Sequence, residues 1–351
     1  MGIARGRFVI DMHTHSQRHA MRWKEKGTAP DYVTLSRSMQ ESVAYDNSPR
    51  LLYDMERYGV DMTILLRGPG MGDPLNEETV KKHPDKFVAL CGASEYTDSV
   101  RRGEREWSIK DCCIELDRLL KSGSFVGIGE TMPSNPKRDP KKIPDWAERF
   151  EEICQIMEVA QAHKVPVGYH TVSPSGYAGG RRPLGHFVYG EGGNPLLAHD
   201  IAAAFPDVPV ILWHGGMDGW WSEINLEPCW HVAAAHPNVY LETGQYWAEL
   251  YEKPLRDPNI GAEKLLWGTD WGAAHPVQWW PGGHPTTYTD QSRKDGIIAH
   301  QPDIFGWSLR QLDKLDIPQD DLNLILGGNT VRIFKLEDRM PHTRMFKQYL
   351  R

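Results

Sequence analysis

The chain has 351 residues, of which 40% are hydrophobic and 25% charged, the composition of an ordinary globular enzyme rather than of a fibrous or disordered protein. Its net charge of −7 argues against a general nucleic-acid surface. No apolar run approaches the roughly 20 residues that a membrane span needs.

The five cysteines, Cys91, Cys112, Cys113, Cys154 and Cys229, form no C-x-x-C or zinc-ribbon spacing and read as reduced thiols in a cytosolic core. Residues 1–7 lead straight into an apolar run, which leaves no room for a signal peptide, and Gly6 stands where a myristoylation motif needs Ser or Thr. The expected location is cytoplasmic.

The first predicted strand, Phe8-Val9-Ile10-Asp11-Met12-His13-Thr14-His15, ends in two histidines one residue apart. Side chains alternate along a strand, so His13 and His15 share a face, about 7 Å apart along the backbone. That is half a metal site on one strand end, although a plain surface pair would explain the motif taken alone. A polar loop over roughly residues 16–48 follows, carrying Arg18, His19, Arg22 and Trp23, and its length suggests a functional loop. Helical spacing of Leu51, Leu52 and Met55 predicts a helix near Pro49–Tyr58. Val60–Leu66 reads as strand two, ending at Arg67, and Phe87–Ala93 as strand three.

Ile109–Lys121 reads as a helix, and Phe125–Glu130 as a fourth strand that ends in a carboxylate. Asp145–His163 is amphipathic, with Trp146, Phe150, Ile153, Met157 and Ala160 at helical spacing. Val165–His170 is strand five, with Pro166 at its start, where a missing N–H is tolerated. A helix over Asn194–Phe205 precedes strand six, Val208–Gly216 with His214. Asn238–Thr243 and Lys264–Asp270 are strands seven and eight. A helix near Pro302–Leu315 and the segment Asn323–Phe334, with Gly327-Gly328-Asn329, complete the pattern.

Eight short apolar runs separated by helical patterns indicate parallel strands buried on both faces. Eight such units predict an α/β fold of the (β/α)8 TIM barrel type. A doubly wound sheet is the weaker choice, because no G-x-G-x-x-G follows any strand. With no linker, repeat or low-complexity tract, the expectation is a single domain over residues 1–351.

In such a barrel the active site lies at the C-terminal strand ends. Those ends carry His13, His15, Glu130, His170, His214 and Asp270. One strand-end histidine such as His170 or His214 is most simply a capped core residue. Six ligand-type residues at five strand ends are harder to explain by packing, since ionisable groups are rarely buried unpaired. A divalent metal ion, one or two per chain, resolves the difficulty. Imidazole and carboxylate without thiolate suit Zn²⁺ first, with Fe²⁺, Mn²⁺ or Co²⁺ as alternatives.

Ile10-Asp11-Met12-His13-Thr14-His15, His170, Leu212-Trp213-His214-Gly215-Gly216, Trp267-Gly268-Thr269-Asp270-Trp271 and Leu326–Phe334 occur in this order between residues 10 and 334. Together they resemble the amidohydrolase superfamily, and most of all its amidohydrolase-related branch, which includes the aminocarboxymuconate-semialdehyde decarboxylase-like proteins. The resemblance implies a distorted TIM barrel of the metal-dependent hydrolase type. In it the His-x-His pair, His170 and Asp270 hold metal, and His214 is either a ligand of a second metal or a catalytic side chain. Strand four departs from the decarboxylase-like pattern. One-metal relatives generally have no ligand there, whereas two-metal members carry a carboxylated Lys or a Glu, which Glu130 resembles. Glu130 would then bridge one metal held by His13, His15 and Asp270 and another held by His170 and His214. The plainer alternative is a capping or salt-bridging carboxylate.

The expected function is metal-dependent hydrolysis of a carbonyl-type bond (amide, ester, thioester or lactone) in a small aromatic or apolar molecule, using metal-activated water. Asp270 would act as general base, and His214 as second-metal ligand or oxyanion stabiliser. The alternative is non-oxidative decarboxylation of an aromatic or unsaturated acid, with Asp270 or His214 protonating carbon. A non-catalytic binding barrel is a third reading, disfavoured by the complete ligand set.

Nine tryptophans fall between residues 213 and 280: Trp213, Trp220, Trp221, Trp230, Trp247, Trp267, Trp271, Trp279 and Trp280. Aromatic walls suit a ring-bearing substrate, although each Trp singly is more simply packing; Trp271 is the one expected at the pocket. Arg67 is expected to pair with a substrate carboxylate, or else to form a salt bridge. The loops Ser173–Gly193 and Ala273–Ser292 have the length of lids, with His186, His275 and His284 as candidate contacts. Gly179-Gly180-Arg181-Arg182 is a weak phosphate signal without an adjoining helix N-terminus. The expected partner is a small-molecule substrate, with neither nucleic acid nor membrane; exposed aromatics would permit a homo-oligomer.

Overall fold

The computed structural model describes residues 2–19, 44–68, 70–137, 146–171, 194–217, 223, 225–272 and 304–339. Eight strands form one sheet in sequence order: β1 (Ile10–Thr14), β2 (Met62–Leu65), β3 (Phe87–Cys91), β4 (Phe125–Ile128), β5 (Val167–His170), β6 (Val210–Trp213), β7 (Val239–Glu242) and β8 (Leu265–Leu266). Every neighbouring pair is parallel. Apart from Val126 and Tyr240, every strand residue is buried, as expected of a parallel sheet covered on both faces. The sheet curls into a nearly closed barrel with helices between its strands, which is the predicted (β/α)8 architecture.

Closure between β8 and β1 is sparse. The Met12 amide donates to the Trp267 carbonyl at 3.1 Å and the His15 amide to the Trp271 carbonyl at 2.6 Å. Between them the Asp11 carboxylate stands in for a ladder acceptor, taking the Thr269 amide at 3.0 Å as well as the Thr269 hydroxyl. Burial pushes the Asp11 carboxyl up to about 8, against the pull of its Thr269 and His13 hydrogen bonds. Strand eight is therefore much shorter than the run Lys264–Asp270 predicted: after Leu266 the chain is tied to β1 by two separate backbone bonds, from Met12 and His15, with the Asp11 carboxylate between them.

The helices are α1 (Ser48–Tyr58), α2 (Asp73–Lys82), α3 (Ser94–Arg102), α4 (Ile109–Lys121), α5 (Trp146–His163), α6 (Ala198–Ala204), α7 (Leu226–Ala235), α8 (Glu252–Arg256), α9 (Ile304–Asp313), α10 (Gln319–Asn323) and α11 (Asn329–Phe334). α1 carries Pro49 in its first turn, where a missing N–H costs nothing, and stops at Gly59 in the left-handed conformation at φ 73°. α4 is capped by the Ser108 hydroxyl, which accepts the Asp111 amide. The long polar loop contains a short antiparallel ribbon, Gln17–His19 against Ala44–Asp46. Arg22 and Trp23 lie outside the described residues.

Two apolar layers hold the barrel. The outer layer packs helices on strands and includes Leu51, Leu65, Phe87, Leu116, Ile153, Val210 and Phe305. The inner layer fills the barrel with Ile10, Met12, Met62, Ile64, Val88, Leu90, Ile211, Trp213 and Leu266, and is continuous with Val331, Ile333 and Phe334 of α11. Asn329 fixes α11 there: its buried amide donates to the Ala262 and Leu265 carbonyls at 2.7 and 2.8 Å. All five cysteines are free. Among the described residues no helix is long and apolar enough to cross a membrane.

Candidate metal centre

His13 is the penultimate residue of β1 and His15 lies just beyond it. His170 ends β5, His214 follows β6, Glu130 lies two residues past β4, and Asp270 four residues past β8. The barrel brings all six together. His13 Nε2 and His15 Nε2 both approach Asp270 Oδ1, at 3.3 and 3.1 Å. On the other side His170 Nε2 lies 2.8 Å and His214 Nε2 3.5 Å from Glu130 Oε1, with the two imidazole nitrogens 3.1 Å apart. Glu130 also faces the first triad: Oε1 is 3.8 Å from His13 Nε2, and Oε2 is 3.7 Å from His15 Nε2. Glu130 thus completes a three-residue cluster with His170 and His214 and also faces the cluster of His13, His15 and Asp270, each compact enough to hold a metal ion; His13, His214 and Glu242 form a third such group.

Local backbone makes this convergence. A register irregularity in β1 between Asp11 and Thr14 lets Met12 fill the core while His13 still points into the site. His214 and Asp270 adopt left-handed backbone at φ 62° and 58°, which non-glycine residues rarely do outside sites that over-determine it. Gly216, at φ 92°, turns beneath His214 where a Cβ would strike the Asn225 carbonyl.

The charges are mutually dependent. Burial pushes the Glu130 carboxyl upward, but the His170 imidazole and hydrogen bonds from His170 and His214 outweigh it and hold Glu130 well below the usual carboxylate range. Asp270 is likewise opposed by burial, yet His13 and His15 bring it down to about 2. Burial lowers His170. His15 and His214 are raised despite burial, His214 to about 9, by the carboxylates facing them. Two anionic carboxylates among four imidazoles form a ready cation site.

The donors fit a metal. Ligands at the 2.0–2.2 Å typical of zinc lie about 3.0–3.4 Å apart in octahedral or tetrahedral arrangement, and the pairs within the two clusters, at 2.8–3.5 Å, bracket that range. His13 Nε2 is buried without a hydrogen-bond partner, as a ligand atom facing an ion would be. The opposite ring nitrogens are held: His13 Nδ1 lies 3.2 Å from Glu242 Oε2, and His15 Nδ1 lies 3.3 Å from the Leu66 carbonyl. With a neutral ring donating from Nδ1 to these acceptors, Nε2 would be left to ligate.

Glu242, the last residue of β7, was not singled out from the sequence. It is fully buried, and besides His13 it accepts the His214 amide at 2.7 Å and the Gly244 amide at 2.7 Å. A carboxylate ending an apolar run, as in Phe125–Glu130, was the available signal. Gln245 was missed as well; its amide donates to Asp270 Oδ2 at 3.4 Å.

The two expected substrate contacts have other neighbours. Trp271 turns its indole outward between barrel and helices, donating to Asp54 of α1 at 3.1 Å and stacking on Phe305 of α9. Its expected place at the pocket is corrected accordingly, because the side chain after Asp270 falls on the helix side of the barrel. Arg67 donates to the Gly92 carbonyl at 3.1 Å and lies 3.9 Å from Asp73. The aromatic beside the clusters is Trp213, edge-on to His13 at a ring separation of 4.9 Å. Trp220, Trp221, Trp279, Trp280, His186, His275, His284, the run Gly179–Arg182 and both lid loops lie outside the described residues.

A family model described as amidohydrolase matches residues 106–336. No curated protein matches the chain. Among solved structures it is similar to an uncharacterised TIM-barrel protein from Bordetella bronchiseptica at 16% identity and TM-score 0.55, covering 93% of this chain and 98% of that one. It is also similar to a probable 2-pyrone-4,6-dicarboxylic acid hydrolase from Acinetobacter baumannii, at 12% identity and TM-score 0.53 over 93% and 99%. A third is a 5-carboxyvanillate decarboxylase from Sphingomonas paucimobilis, at 14% identity and TM-score 0.52 over 93% and 99%. At these identities the structural likenesses speak to the barrel alone.

Proposed function

The chain belongs to the amidohydrolase family, and from that premise we propose that it is a two-metal hydrolase of a carbonyl-type bond in a small, ring-bearing or apolar molecule. The observation that carries this reading is the position of Glu130, whose two oxygens face both ligand clusters. His13, His15 and Asp270 would hold one ion, His170 and His214 the other, with Glu130 between them. The ions would polarise the substrate carbonyl and bring the pKa of water toward about 7.

The protein's own part is proton transfer and aim. Asp270 enters as a carboxylate and is the general base, taking a proton from the attacking water and returning it to the leaving group. Gln245 holds its Oδ2, which leaves Oδ1 turned toward His13 and His15. The Arg67 guanidinium, at the end of β2, would meet a substrate carboxylate through the N–H groups not spent on Gly92 and Asp73. The substrate is free in solution, and the setting cytoplasmic.

Elemental analysis of the native protein beside Glu130→Ala tests the reading. About two divalent ions per chain are expected, falling by about one in the variant. A native protein without stoichiometric metal, and with activity that survives chelation, would sink it. Turnover of aromatic esters, amides and lactones in ¹⁸O-labelled water should place the label in the acid product. Release of CO2 from aromatic acids without label uptake would instead establish decarboxylation, which the same barrel supports in the Sphingomonas protein.

A further inference from the structure

We infer that Glu242 is a positioning residue that fixes the His13 tautomer and ties the two ligand clusters to each other; the inference rests on the proposed role of His13 as a metal ligand. The geometry is specific. Oε2 faces His13 Nδ1 at 3.2 Å and accepts the His214 backbone N–H at 2.7 Å, while Oε1 accepts the Gly244 N–H at 2.7 Å. One buried carboxylate therefore holds the ring of a ligand in the first cluster and the backbone of a ligand in the second.

Two backbone amides that cannot reverse donate to this group, one to each oxygen. With both oxygens placed as acceptors, the inferred role of His13 Nδ1 is that of a donor, and a carboxylate behind Nδ1 makes His13 Nε2 a more basic ligand. Glu242 is wholly buried, and among the described residues no other hydrogen bond to His13 Nδ1 is present.

Glutamine at this position has the right shape and the wrong chemistry. If its carbonyl takes the Oε2 place, its NH2 confronts the Gly244 N–H. If its carbonyl takes the Oε1 place, its NH2 faces both the His214 N–H and His13. His13 must then accept at Nδ1 and carry its proton on Nε2, where it can no longer ligate. His15 is an internal control, because its Nδ1 is anchored on the Leu66 carbonyl and not on Glu242.

The experiment is ¹⁵N-histidine NMR of the zinc-loaded and metal-stripped protein, native and Glu242→Gln, combined with titration of zinc against a competing chelator. His13 is assigned by comparison with His13→Gln. In the native protein the His13 proton should reside on Nδ1. In Glu242→Gln the His13 signals should move while those of His15 stay, and zinc affinity should fall about 10–100-fold. A native His13 protonated on Nε2 overturns the inference without any variant, so it is decided even if Glu242→Gln fails to fold. Unchanged His13 signals and affinity in a folded Glu242→Gln overturn it too. If the native protein takes up no zinc, the proposed function fails, while the His13 tautomer in the stripped protein still decides the role of Glu242.

Discussion

Asp270 and His214 show how much is spent on aiming single side chains. Each sits in left-handed backbone, at a cost of order 1–3 kcal/mol for a non-glycine residue, and each thereby turns a ligand atom into the site. Asparagine tolerates that conformation better than most residues. Asp270→Asn should therefore stay folded, with a melting temperature in the metal-stripped form close to that of the stripped native protein, while kcat falls at least about 10²–10⁴-fold through loss of the base; native-like turnover would remove Asp270 from that role. Gly168 tests packing at the same scale. A Cβ there would run into the Trp213 indole nitrogen and lie 2.9 Å from the Glu130 carbonyl oxygen. Gly168→Ala should cost about 1–3 kcal/mol in urea unfolding and shift the Trp213 fluorescence; a neutral result would mean that the indole can yield. The sequence disclosed the six candidate ligands because each ends an apolar run with a ligand-type residue. Val239-Tyr240-Leu241-Glu242 has the same form, but the predicted strand runs on to Thr243, which leaves its carboxylate inside the strand rather than at its end. Trp271 misled for a related reason: adjacency to Asp270 in the chain says nothing about which side of the barrel a ring falls on.

Strands were more legible than helices, and the reason is physical. A buried parallel strand is a short apolar run whatever surrounds it. α2 (Asp73-Pro74-Leu75-Asn76-Glu77-Glu78-Thr79-Val80) and α3 (Ser94-Glu95-Tyr96-Thr97-Asp98-Ser99-Val100) are mostly polar and bury Asn76, Thr79, Ser94 and Ser99, so no apolar stripe announces them. α7 carries Pro228 in its first turn and a run of alanines, which blurs the periodicity in the other direction. β8 erred toward length, because the predicted run Lys264–Asp270 continues past Leu266, where the ladder ends, through Thr269, whose amide is taken by the Asp11 carboxylate. The closing element makes an element-scale prediction. Asn329 satisfies two buried carbonyls between β8 and its preceding turn, and it seats α11 beneath the barrel. Asn329→Ala should leave both carbonyls unpaired and cost about 2–4 kcal/mol, measured as a drop in urea midpoint with unchanged slope. A change under about 0.5 kcal/mol would mean that water replaces the amide.

At the scale of the whole molecule, the six-residue cluster is a stability problem as well as a candidate metal centre. Glu130 and Asp270 bring two negative charges into a buried site with four imidazoles, and burial drives His170 toward neutrality while the carboxylates drive His15 and His214 toward the charged form. Protons alone satisfy such a network poorly: His13 Nε2 remains without a hydrogen bond, and each imidazolium formed faces another imidazole. A divalent ion in each half would let the four rings be neutral and both carboxylates ionised at once. Because ions bind the folded chain and not a preformed site in the unfolded one, they add stability of RT ln(1 + [L]/Kd), about 2.7 kcal/mol per ion at a hundredfold excess. Two ions would then contribute about 5 kcal/mol, worth on the order of 10 °C in apparent Tm for a chain of this size. Dialysis against a strong chelator should lower the melting temperature by that order, and added zinc or manganese should restore it. Glu130→Ala, expected to keep one ion, should show roughly half the shift. A melting temperature indifferent to chelation, in protein shown by elemental analysis to have lost its metal, would mean that the network closes on protons alone.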